Sequence, residues 1–378
     1  MKQLFPYGKP ATGKDLIDRK GIMRRIMDDV TGGQSIILTA PRRYGKTSVI
    51  RECLLKLRRK GILTGYVDLF ERTSMREFAE GIVETTLRNE VSNAHKILKA
   101  IKANLADFLR MVQFKHIWQE HEFILSFGSK EADESTLLNQ TLDFPEKFAR
   151  SKKKKLVFAI DEFGDLKNWN SQLMKKLRAK FQQHRWVTYI FSGSRESVMK
   201  ELFTSKAYAF YGFGKIVEMG PLPQQDLSRY ISAVLKKTRF TVSKEVIRHL
   251  CELANNHPHY SKVLAQATVE QAEKKRKITC EDVDDGFERA FLQVKGEIDR
   301  EWDSLSRAPL QRRVLKFLAR EEEGVYAKES FPKVDKQQIY FALTELQNKG
   351  MILKVGKGQF IFANPFFKEY LKMTSEYM

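Results

Sequence analysis

Cysteine is scarce in this chain. The three residues in 378, Cys53, Cys251 and Cys280, lie far apart and show no C-x-x-C spacing. That excludes a disulfide framework or a zinc module as the organising principle. Long hydrophobic runs are missing too: no stretch approaches the roughly 18 apolar residues of a membrane span, and the polar opening MKQLFPYGKP is not that of a signal peptide. The expectation is a soluble, cytoplasmic protein of a reducing compartment with no membrane partner. Internal repeats and low-complexity tracts are also lacking. What is present is a globular composition, 42% hydrophobic and 11% aromatic, on a chain long enough for two or three domains.

Acidic charge is short. Against 67 Lys and Arg stand 47 Asp and Glu, a net +20. The excess is uneven: +15 over residues 1–200, +2 over 201–300 and +3 over 301–378. A polyanion (DNA, RNA or anionic lipid) is the natural partner of such a field and would bind in a salt-sensitive way. The alternative is a solvated, lysine-rich surface that aids solubility.

Five short apolar runs read as strands: Ser35–Ala40, Thr64–Phe70, Leu156–Asp161, Trp186–Ser194 and Lys215–Met219. Continuous apolar runs with helical stretches between them predict an α/β fold with a parallel sheet covered on both faces. A long insertion, about 75–150, reads as mostly helical, with Ile97, Ile101, Leu105, Leu109 and Val112 at three- and four-residue steps. From Pro221 the strand signal stops, and helices are expected over 224–237, 243–254, 258–275 and 279–294. The last opens on Thr279-Cys-Glu-Asp282, a capping box with Asp in place of Glu. After a boundary near 296–309 come helices over 310–320 and 326–332, a third starting near Asp335, and two strands around Val-Gly-Lys-Gly. Helix, helix, helix, hairpin is the order of a winged helix-turn-helix. The expected division is an α/β core over 1–220, a helical lid domain over 221–300 and a winged helix over 301–378.

The strongest chemical signal is Ala40-Pro41-Arg42-Arg43-Tyr44-Gly45-Lys46-Thr47-Ser48, placed between an apolar strand and a helix-forming run. That is the context of a P-loop, with Ala40 where the pattern begins with Gly. Successive amides and the helix N-terminus can cradle phosphates. Gly45 lets the backbone approach, Lys46 supplies a cation to the β/γ-phosphates, and Thr47 can ligate Mg²⁺. The second half of such a site is Asp161-Glu162 at the end of the run LVFAID, with Asp161 for Mg²⁺ and Glu162 for the attacking water. A third element is the end of the strand TYIFSGSRES. There Ser192, Ser194 and Arg195 either contact the γ-phosphate or water, or form an ordinary strand-to-helix cap.

Together these residues resemble a prokaryotic, mostly archaeal ATPase family between AAA+ initiator ATPases and STAND signalling ATPases. The resemblance is carried by Pro41–Ser48, by Ile160-Asp161-Glu162-Phe163 and by Phe191-Ser192-Gly193-Ser194. It extends to His257-Pro258-His259-Tyr260, similar to the family's H-P-Y motif, and to Asp18-Arg19, similar to its motif near the adenine. It spans the whole chain and implies the additional-strand P-loop fold, ATP with Mg²⁺, and nucleotide contacts from Asp18, Arg19, His257 and Pro258. The departures are Lys20-Gly21 where the family continues Arg-Glu, Asn256 where the STAND motif has Gly, and His259 where initiator ATPases place an arginine. His257 and His259 either sense nucleotide or pack a helix start.

In the winged helix, the third helix offers Lys336, Gln337, Gln338 and Tyr340 to a DNA groove, and the wing adds Lys354 and Lys357. The alternative is a winged helix that docks on protein. Further basic density lies at Arg58, Arg59 and Lys60 and at Lys175, Lys176, Arg178 and Lys180. The leading expectation is an ATP- and Mg²⁺-dependent switch ATPase acting on DNA, with assembly on nucleotide binding left open. The alternative is a STAND-like regulator of a protein partner without nucleic acid.

Overall fold

The computed structural model describes residues 3–17, 19–72, 74–90, 112–117, 122–127, 134–169, 171–320, 325–326 and 331–376. The five expected strands form one sheet: β1 (Ile36–Thr39), β2 (Leu63–Asp68), β5 (Leu156–Asp161), β6 (Val187–Gly193) and β7 (Lys215–Glu218), in the order β2-β5-β6-β1-β7. Every pairing is parallel. β1 therefore sits between strands far from it in sequence, and the loop leaving its C-terminal end opens at a switch in strand order, where open α/β sheets bind ligands.

Alternation along the strands explains why both faces are apolar. In β5, Val157 and Ala159 join the cluster under helices α1 (Lys20–Thr31) and α2 (Lys46–Arg59), whereas Leu156, Phe158 and Ile160 join the cluster on the other face. Gly65 in β2 is required by this packing: a Cβ there would lie 2.5 Å from the Phe158 ring. α3 (Met75–Leu87) and the helix Glu134–Ser151 cover the second face.

The insertion differs from the expected helical reading. β3 (Val112–Ile117) and β4 (Glu122–Phe127) form an antiparallel hairpin, so Val112 opens a strand. The sequence there, VQFKHI and EFILSF, carries period-two alternation that competes with the helical steps. Ile97, Ile101, Leu105 and Leu109 lie outside the described residues.

Beyond β7 the helices are Gln224–Leu235, Lys244–Leu253, Tyr260–Gln271 and Cys280–Asp303, with a short parallel pair β8 (Thr241–Val242) and β9 (Lys277–Ile278) that apolar runs did not announce. The capping box is formed: the Asp282 amide donates to Thr279 Oγ1, and the Thr279 amide donates to Asp282 Oδ2. The helix it opens runs nine residues past the expected end. Gly296 does not stop it, because Phe291, Val294 and Ile298 keep one buried face on either side.

The C-terminal part comprises the helices Pro309–Ala319 and Lys336–Asn348, the hairpin β10 (Ile352–Gly356)–β11 (Gln359–Phe362) and a final helix, Pro365–Glu376. Most of the expected second helix, 326–332, lies outside the described residues. The apolar core of this part is continuous with Tyr260, Val263, Ala290, Phe291 and Ile298 of the preceding helices. The helix Lys336–Asn348 also lies against the helix Glu196–Thr204, and Leu353 packs on the cluster under α1 and α2.

Candidate nucleotide site

The loop between β1 and α2 turns on two left-handed residues, Arg43 (φ 66°) and Gly45 (φ 85°). A Cβ on Gly45 would meet no atom within 4 Å, so it would project into open space beside the loop, and an L side chain at that φ is strained. The helix that follows begins at Lys46, which aims its unpaired amides at the loop. Lys46 is buried, and its Nζ donates to the carbonyls of Ala40 (2.8 Å) and Pro41 (3.2 Å). Burial lowers its pKa, while Glu162, Asp161 and Glu196 oppose that shift.

Asp161 ends β5 fully buried and gathers four donors. Oδ2 accepts from Thr47 Oγ1 (2.7 Å) and Tyr66 OH (3.0 Å); Oδ1 accepts from Ser192 Oγ and from the Glu162 amide (3.1 Å). Glu162 itself stands at φ 52°, a left-handed position for a branched-free but bulky residue, which swings its side chain toward β6. There its Oε2 accepts from the Ser194 amide (3.0 Å) and hydroxyl (2.9 Å). Arg195 is ion-paired with Asp165.

These groups line a cleft of about 800 Å³, within the usual range for small-ligand sites. Arg42, Arg43, Tyr44, Gly45, Lys46, Thr47, Ser48, Asp161, Glu162, Ser194 and Arg195 form one end of it. The far wall is the N-terminal segment. It is pinned by the Ala11 amide on Ser48 Oγ (2.9 Å), the Gly13 amide on Glu52 Oε2 (3.1 Å) and the Leu4 and Phe5 amides on Gln266 Oε1.

Of the other expected residues, Arg19 also lines the cleft, whereas His257 supports it from behind. Arg19 is buried, donating to the carbonyls of Gly220 (2.8 Å) and Tyr44 (3.4 Å), and burial lowers its pKa to about 10. Asp18 lies outside the described residues. His257 sits beneath the Tyr44 ring, and its Nδ1 accepts from the amides of His259 (3.1 Å) and Tyr260 (3.3 Å), capping the helix that follows. Pro258 and His259, not His257, line the cleft. Burial drives the His257 pKa far down and that of His259 to about 4, so both rings are neutral at physiological pH.

Sequence reasoning passed over Lys262, Tyr66, Asp68 and Glu196. Lys262 lines the cleft almost fully buried, with Nζ donating to the Asp15 carbonyl (2.7 Å) over the Tyr230 ring, and burial lowers its pKa to about 8. Its signal was present: Lys262 and Gln266 are polar residues four apart on the buried face of an apolar helix. Tyr66, which contacts Asp161 across 95 residues, left no such local mark.

No protein-family model matches the sequence, and no curated protein matches it. Solved structures do. The Walker-type ATPase PABY2304 of Pyrococcus abyssi superposes with a TM-score of 0.64 at 17% identity, over 98% of this chain and 99% of that one. The Aeropyrum pernix ORC2 protein, in ADPNP–ADP complexes, superposes with a TM-score of 0.57 at 11% identity, over 100% and 99%. What the chain shares with both, across its whole length, is the fold: a five-stranded parallel P-loop sheet with helical attachments.

Proposed function

We propose that this chain binds ATP with Mg²⁺ and hydrolyses it as a conformational switch, acting on DNA through its C-terminal helix–hairpin part and its basic surface. The observation that carries the nucleotide half is the 2.7 Å hydrogen bond from Thr47 to Asp161, which joins the P-loop helix to the end of β5 across 114 residues. A hydroxyl and a carboxylate in contact at a helix N-terminus fit a divalent cation and a triphosphate. The likeness to a structure described with ADPNP and ADP supports an adenine nucleotide.

In this reading Lys46 exchanges the Ala40 and Pro41 carbonyls for phosphate oxygens. Thr47 and Asp161 would hold Mg²⁺, which when bound neutralises charge on the β/γ oxygens. Glu162 orients the attacking water and accepts its proton, and Ser194 holds the Glu162 carboxylate in place. Arg19 and His257 brace the loop through Tyr44, while Pro258 and His259 face the ligand. The division of labour we propose is a core over 1–220, a lid over 221–300 and a winged helix over 301–378.

For DNA, the side chains of Lys336, Gln337, Tyr340, Lys354 and Lys357 are exposed, whereas Gln338 Oε1 is spent on the Asp335 amide in a capping box. A second reading, a regulator of a protein partner without nucleic acid, is favoured by the helix Lys336–Asn348 lying against Glu196–Thr204. The deciding experiment is ATP turnover with and without duplex DNA, for the natural chain and Glu162→Gln, beside a mass measurement with and without ATP. DNA-stimulated turnover that Glu162→Gln abolishes is the expected result. Turnover indifferent to DNA supports the second reading, and absence of turnover in the natural chain overturns hydrolysis.

A further inference from the structure

The edge of the sheet opposite the cleft collects basic residues from three separate parts of the sequence. α2 ends at Arg59 and feeds β2 through Gly61; the helix Glu134–Ser151 ends just before Lys152 and feeds β5; Arg185 precedes β6. Strand pairing brings these ends together. The Leu63 amide donates to the Lys155 carbonyl (3.0 Å), the Leu156 amide to the Trp186 carbonyl (2.9 Å), and Lys155 Nζ to the Arg185 carbonyl (2.7 Å). β2, β5 and β6 are adjacent, so neighbouring strand starts stand about 4.8 Å apart.

Arg59, Lys60, Lys153, Lys154, Lys155 and Arg185 are all exposed on this edge. Among the described residues, none of the six has a carboxylate partner. The two acids at its margin do not meet these six side chains. Glu146 accepts from the amides of Arg185 (3.1 Å) and Trp186 (2.8 Å), and Asp143 is paired with Lys180 (2.8 Å). Two helix C-termini end here, and a basic residue in the last turn of each would complement the dipoles. Six exposed cations without a carboxylate partner are more than that needs, and a polyanion complements the field to which they sum.

We propose that this edge is a second, sequence-independent docking surface for the phosphate backbone of duplex DNA, separate from the helix–hairpin part. A membrane surface fits less well. Apart from Leu55 on α2, the large apolar side chains exposed among the described residues, such as Phe70, Leu292 and Met373, lie on other elements and leave this edge without an anchor.

The proposal shares the DNA half of the functional reading but not its location, and the test separates the two. A fluorescein-labelled 30-base-pair duplex is titrated at several salt concentrations with the natural chain, with Lys60→Gln/Lys153→Gln/Lys154→Gln/Arg185→Gln, and with Lys354→Gln/Lys357→Gln. Losing four phosphate contacts should lower the log–log salt slope by about 3.6 units in the first variant, and two unrelated duplex sequences should be affected alike, within about threefold. Basal ATP turnover without DNA should be unchanged, since the four residues lie at the opposite end of the strands. A slope lost only in the hairpin variant overturns the proposal and keeps the helix–hairpin reading. A slope lost only in the four-residue variant supports the proposal and removes that reading. Tighter binding of the natural chain to phosphatidylserine vesicles than to the duplex, lost with the same four substitutions, overturns it in favour of a membrane.

Discussion

Lys46→Ala isolates what the P-loop ammonium contributes. Its Nζ donates to the Ala40 and Pro41 carbonyls at 2.8 and 3.2 Å. A phosphate entering the loop offers a full charge in place of two carbonyl dipoles. At about 4 Å and an effective dielectric near 20, one unit pair is worth about 4 kcal/mol. The surrendered carbonyl bonds take back on the order of 1–2 kcal/mol. The remainder, about 2–3 kcal/mol, raises Kd for ATP by about 30- to 150-fold. Calorimetric titration with Mg²⁺ present reads that directly, and thermal unfolding supplies a control. At 100 times its Kd, ATP stabilises the natural chain by about 2.7 kcal/mol; a variant bound 100-fold more weakly keeps only about 0.4 kcal/mol at the same concentration. An affinity within about twofold of the natural chain, near 0.4 kcal/mol, with normal folding, would refute the assignment of the loop.

Ser194→Ala removes one of the two donors that hold Glu162, so turnover should fall by about three- to tenfold, the equivalent of one hydrogen bond, while ATP affinity stays within twofold; equal losses in both would tie Ser194 to phosphate instead. Acid should destabilise the fold through the paired histidines. His259 holds a pKa of about 4 when folded, below its unfolded value near 6.5, so only the unfolded chain gains a proton as pH falls between them. Stability should be flat above pH 6.5 and fall by up to about 3 kcal/mol toward pH 4 on account of His259, and His259→Gln should remove that part of the slope in denaturant titrations. Lys354→Ala with Lys357→Ala should lower the log–log salt slope of DNA binding by roughly two units. Gln337→Ala should change base preference, and Gln338→Ala should act mainly on helix stability, because the Gln338 side chain caps its own helix.

Much of this protein was legible in one dimension. The five parallel strands announced themselves as apolar runs because a sheet covered on both faces needs no polar alternation. The P-loop and the Thr279–Asp282 box were readable for a similar reason: backbone geometry and its satisfaction are set by residues within a few positions. Asp161 and Glu162 were marked by their position at the end of the continuous apolar run LVFAI.

Other features depended on which parts of the chain became neighbours. Val112 carried both a helical and a strand period, and pairing with Phe127 selected the strand. Gly296 looked like a boundary, yet packing of Val294 and Ile298 carried the helix through it. The partner that buries Lys262, the Asp15 carbonyl, and the reach of Tyr66 to Asp161 arise from contacts between distant parts of the chain that no local pattern encodes. The basic edge shows the difference most plainly. Lys60, Lys154 and Arg185 are each unremarkable as solvated charges, and only the register of β2, β5 and β6 sums them into one field, because electrostatic potential adds over distance in space and not along the chain.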